Sequence, residues 1–192
     1  MSSLSDEHLV KSCNAGNKEH GRLLYERYKK YVAGILWNMT RDSVAVQDLT
    51  QETFLRVFKG LKKFKGESSF KTWLSSIAVN LCKDFLGGSE QRHTNRRTSI
   101  DDPENEGIIE LPSKDSSTDP QRRLLQDELK VVVASAVDKL RPKQKTAILL
   151  WKEGFSYAEI AEITGTPEKT VGTQIYHAKI KLREFLRPYQ KR

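Results

Sequence analysis

The residues with the clearest chemistry lie at 165–182, GTPEKTVGTQIYHAKIKL. Thr173 and Gln174 carry hydroxyl and amide groups of the kind that can hydrogen-bond base edges in a major groove, and Lys169 and a helix N-terminus are groups that can meet phosphates. This is non-covalent chemistry. The chain carries no nucleophile–base pair, P-loop or metal cluster. His8, His20, His93 and His177 are scattered without zinc spacing. Cys13 and Cys82 lie far apart, form no CxxC and read as reduced, buried thiols of a cytoplasmic protein. The expectation is a binding protein and not an enzyme, with no cofactor and no metal.

Those residues need a scaffold. Pro142 suits the first turn of a helix whose inner face is Leu140, Ala147, Leu150 and Trp151. Gly154 ends it. Ser156 and Glu159 form the S-x-x-E capping box of the next helix. Gly165 permits a sharp turn, Thr166 caps a third helix, and Pro167 takes its first position. Val171, Ile175, Ala178 and Leu182 make an inner stripe at spacings of 4, 3 and 4. Glu168, Lys169, Gly172, Thr173, Tyr176 and Ile180 then point outward. The predicted unit is a helix-turn-helix.

The chain has 192 residues and a net charge of +8. That charge fits a polyanion, either nucleic acid or an anionic membrane surface. The N-terminus MSSLSDEHLVKS has no apolar core of a signal peptide, and VVVASAV at 131–137 is too short to span a membrane. Helical periodicity covers about 1–95 and 121–188, with the second domain running on to 192. Between them, 96–120 is read as a flexible linker, because its stretch TSIDDPENEGIIELPSKDSSTDP (98–120) is acidic and rich in Ser and Pro. It is either a solubilising spacer or an acidic strand for a basic channel. Ser69 precedes a helix that Gly87-Gly88 would stop. The fold class is all-α: two small helical domains joined by an acidic linker.

At 48–58, DLTQETFLRVF puts Leu49, Thr53 and Val57 on one helix side, in line with Leu61 and beside Phe54 and Phe58. Asp48, Gln51, Glu52 and Arg56 lie on the other side. The segment continues with FKG at 64–66, FKTWL at 70–74, IAVNL at 77–81 and Asp84. It resembles region 2 of bacterial sigma factors of the extracytoplasmic-function group. LRPKQ at 140–144, SYAEIA at 156–161 and GTPEKTV at 165–171 resemble region 4 of the same family. Both halves stand in family order.

The resemblance implies a dissociable subunit of RNA polymerase that directs initiation at particular promoters. It assigns docking on the clamp of core polymerase to Asp48, Gln51, Glu52 and Arg56. It assigns melting and capture of the −10 element to Phe64, Lys65, Gly66, Phe70, Lys71, Thr72, Ser76, Asn80, Lys83 and Asp84. Capturing a melted strand takes cations for phosphates and rings for bases. Trp73, with Leu74 and Ile77, reads as core before platform; Phe64 and Phe70 read as either. The −35 duplex falls to Thr166, Pro167, Glu168, Lys169, Thr170, Thr173, Gln174, His177 and Lys179. The implied partners are the clamp and flap of core polymerase, promoter DNA and an anti-sigma factor, without membrane insertion. In the linker, Asp101, Asp102, Glu104 and Glu106 would mimic RNA. Members often carry a basic residue at the positions of Val79, Gly172, Gln174 and His177, which predicts weaker phosphate anchoring here. Two rivals differ in class. A dimeric operator-binding regulator would carry the same helix-turn-helix, and a decoy would bind polymerase without opening promoters.

Overall fold

A computed structural model describes residues 4–93 and 120–189, with side chains over 4–87 and 128–189. Among these residues all regular structure is helical. The helices are α1 (Asp6–Asn14), α2 (Lys18–Thr40), α3 (Ser43–Gly60), α4 (Phe70–His93), α5 (Pro120–Asp138), α6 (Pro142–Lys152), α7 (Tyr157–Thr164) and α8 (Glu168–Leu186). They fall into two compact units. The first contains α1–α4, and the second is built on α5, α6, α8 and the start of α7. The expected linker lies outside the described residues, except that Pro120 already opens α5. No helix among the described residues is long and apolar enough to cross a membrane.

Short polar residues set the boundaries in the first unit. Asn17 Oδ1 accepts hydrogen bonds from the amides of Glu19 (3.1 Å) and His20 (3.3 Å). Asp42 Oδ1 accepts from Val44 and Ala45, each at 3.0 Å. Such caps satisfy donors that a helix start leaves open, at about 1 kcal/mol each. Helix α2 packs on α1, α3 and α4, and α3 also packs on α4. The core between them holds Leu9, Leu24, Val32, Leu36, Val46, Phe54, Val57, Leu74 and Cys82. Asp6 on α1 accepts from the Tyr28 hydroxyl and the Arg27 guanidinium, both on α2. Burial, then the Asp6 carboxylate, pushes the Tyr28 phenol well above its usual pKa.

Two sequence expectations fail here. Helix α4 runs past Gly87 to His93. Glycine lowers helix propensity without forbidding the i→i−4 bond, so it permits a stop and does not impose one. Trp151 does not join the inner face of α6. Leu140, Ala147 and Leu150 are buried, whereas Trp151 is 42% exposed.

Candidate nucleic-acid and polymerase interface

Helix α8 is delivered by the predicted turn. The Glu159 carboxylate accepts from the Ser156 amide (2.9 Å), and Ser156 Oγ accepts from the Glu159 amide (3.2 Å), closing the capping box. Gly165 then takes φ +65°, where a side chain would be strained. The helix starts one residue later than expected. Pro167 stands at the cap position, Glu168 is the first helical residue, and no side-chain cap bond forms. Proline offers no side-chain acceptor, so the Glu168 and Lys169 amides gain no cap, while those of Thr170 and Val171 already bond the Pro167 carbonyl at 2.9 and 3.1 Å.

Val171, Ile175 and Ala178 are buried and Leu182 half-buried, as the stripe requires. Pro167, Glu168, Lys169, Thr170, Thr173, His177 and Lys179 are exposed; Thr166 and Gln174 are half-buried. Thr173 Oγ1 donates to the Lys169 carbonyl at 3.0 Å, which leaves its oxygen free to accept. Tyr176 is not among the residues the resemblance assigns to the −35 duplex. It is 63% exposed on α8, with its ring edge-on to His177 at 5.6 Å. Its outward place on the helical wheel was the available signal.

On α3, Asp48, Gln51 and Arg56 are exposed and Glu52 half-exposed. Arg56 Nε donates to Glu52 Oε1 at 2.8 Å, an i,i+4 pair. Leu55, 53% exposed, lies between Gln51 and Arg56 on the same side, so the face is mixed polar and apolar. Leu55 follows Phe54 directly in an apolar-rich stretch, so the sequence alone did not mark it as exposed.

The predicted −10 segment divides. Lys65 and Gly66 are exposed in the loop before α4, with Gly66 at φ +76°. Ser76 is half-buried, and Asn80, Lys83 and Asp84 are exposed at helical spacing along α4. Two of the named residues face inward instead. Phe70 is 3% exposed and packs against Tyr28 at 5.4 Å between ring centroids. Thr72 is fully buried, and its hydroxyl meets Ser69 Oγ at 2.8 Å. Neither offers surface to a nucleic acid, because both anchor the start of α4. Phe64 is half-buried, its ring 5.0 Å from that of Trp73. Trp73 lies against the backbone of Gly60, the core placement expected for it. The Lys71 ammonium sits 4.8 Å from the Tyr31 ring centroid.

The comparisons with known proteins decide the family. Sigma-70 region 2 matches residues 24–102 and Sigma-70 region 4 matches 130–182. The chain is 35% identical to the ECF RNA polymerase sigma-E factor of Haemophilus influenzae, over 96% of this chain and 97% of that one. It is 31% identical to the RNA polymerase sigma-H factor of Pseudomonas aeruginosa, over 95% and 94%. The chain belongs to the extracytoplasmic-function sigma factors. Its function is promoter-specific transcription initiation. In fold it is similar to the sigma factor RpoE of Bartonella quintana, solved with the anti-sigma factor NepR. That match has a TM-score of 0.67 and 20% identity, over 86% of this chain and 96% of that one.

Within this sigma factor the departures from the family pattern are not equivalent. Val79 is fully buried, so a basic residue there would replace core. At Gly172 a Cβ would lie 3.7 Å from the Tyr157 ring, an ordinary contact. The second unit also carries a groove of about 380 Å³ between α5, α6 and α8. Val133, Val137, Ile148, Leu149 and Leu182 line it, with Trp151, Lys152, Lys179 and Arg183.

Proposed function

We propose that this sigma factor divides its work among three surfaces. The face of α3 carrying Asp48, Gln51, Glu52 and Arg56 docks on the clamp of core polymerase. Exposed hydrogen-bonding groups around Leu55 favour that reading, since a reversible interface draws specificity from polar groups and contact area from an apolar centre. Asn80, Lys83 and Asp84 of α4, with Ser76, Phe64 and the Lys65-Gly66 loop, hold the melted −10 strand. The start of α8, from Lys169 to His177, reads the −35 duplex.

The chain works without cofactor or metal and performs no catalysis; polymerase forms the phosphodiester bonds. Its place of action is the cytoplasm. An anti-sigma factor that covers these faces would hold it inactive, as the acidic linker would assist it on polymerase. The observation that carries the division is the run of exposed polar residues on α3 and α4, each backed by a buried apolar face.

Run-off transcription tests it. Core polymerase of the source organism is supplied with genomic fragments, with and without the protein. Transcripts with defined starts that require the protein support the reading. Core binding without any transcript would leave a decoy. Duplex binding that ignores core would leave a regulator that acts alone.

A further inference from the structure

We infer that Trp151 is a positioning residue for −35 binding, holding the Lys179 ammonium where a DNA phosphate can take it. The inference rests on the proposed reading of duplex by α8. Trp151 occupies the last turn of α6 and keeps 42% of its surface exposed, although α6 buries Ala147 and Leu150. Lys179 Nζ sits 3.6 Å from the centroid of its ring. A cation held over an indole face is attracted by the ring quadrupole.

The placement on α8 gives that contact a use. Gly172, Tyr176, Lys179 and Arg183 follow at spacings of four, three and four, so they share one stripe. Lys169 and Thr173 run beside it. The Trp151 ring therefore fixes a charge on the flank of the reading face, two turns past Gly172. Gly172 supplies no side chain of its own, so Lys179 is the first fixed cation along that stripe.

The chemistry of the pair favours anion capture. A lysine ammonium has three N–H donors, and a ring face accepts none of them as a full hydrogen bond. Among the described residues Lys179 has no carboxylate partner, so its charge stays available. Lysine also has a long, freely rotating stem and loses much rotamer freedom when it binds. Parking the ammonium over the indole removes part of that freedom before DNA arrives. Trp151 thus acts through Lys179 and needs no contact with DNA.

The test uses the full-length protein and a labelled duplex of mixed sequence, titrated with salt. Trp151→Leu should weaken binding about two- to fivefold, the range of an exposed cation–π contact. Trp151→Phe should recover most of it. Lys179→Met should lower the slope of log affinity against log salt by about one. In the Lys179→Met background, Trp151→Leu should have no further effect. Equal losses in both backgrounds would make the ring a packing residue and overturn the inference; so would no loss at all. Should Trp151→Leu fail to fold by circular dichroism, Lys179→Met decides alone. An unchanged slope then overturns the inference, and a shifted indole emission with a lower slope supports it. Lys169→Ala is the control for the underlying reading. If it too leaves the slope unchanged, α8 does not bind the duplex, and that reading fails instead.

Discussion

Gly172 and Val79 are two positions where the resemblance leads one to expect a cation, and they answer an introduced arginine in opposite ways. Gly172→Arg adds a side chain in ordinary contact with Tyr157, on a helix that gains about 1 kcal/mol by losing a glycine. It also adds a cation to the stripe of Lys179. Thermal melting should show a stabilised second unit, and the salt slope of duplex binding should rise by about one. Val79→Arg inserts a charge at a fully buried position of α4. An unpaired buried charge costs several kcal/mol, so the melting temperature should fall steeply and promoter opening should not improve. A Val79→Arg protein that melts like the parent would refute this placement. The sequence alone presented both residues as missing charges; burial separates them.

At the scale of the helix, what was legible was what is local. The capping box of Ser156 and Glu159, the turn at Gly165 and the stripe of Val171, Ile175 and Ala178 all follow from spacing within one or two turns. Phe70 and Thr72 were not legible as buried, because Tyr28, which covers Phe70, comes from another helix about forty residues earlier. Trp151 failed for the converse reason. Its periodicity fits the core face of α6, but its position depends on where α8 passes. The link between α1 and α2 was also invisible, since Asp6 meets Tyr28 and Arg27 only in the fold. It carries a pH dependence. The Tyr28 phenol has a raised pKa in the folded state, so its contribution is complete below the unfolded value, about 10. It is lost as pH rises from there through the folded value. Tyr28→Phe should cost about 1 kcal/mol at neutral pH, for the lost hydrogen bond. Urea unfolding at neutral and strongly alkaline pH should show that gap narrowing as pH rises. A gap that widens would mean the phenol is not held neutral.

At the scale of the whole molecule, the proposed surfaces predict that the functions separate. Glu52 and Arg56 form an exposed pair, and such pairs contribute at most about 1 kcal/mol to stability. Asp48→Ala with Gln51→Ala removes two more exposed groups. These variants should therefore fold like the parent. Each should weaken binding to core polymerase, by about tenfold or more for the double substitution if that face lies at the centre of the interface. Duplex binding by α8 should be unaffected, because the substitutions lie on α3, in the other compact unit. Lys169→Ala and Thr173→Ala should behave in reverse, competing for core as well as the parent does while failing at the −35 element. Run-off transcription alone cannot separate the two groups, since both lose the transcript. Competition against a labelled parent for a limiting amount of core can. If the α3 variants still displace the parent, the docking face lies elsewhere in residues 24–102. Leu55, Val44 and Phe58, the exposed apolar residues of α3, then become the positions to substitute.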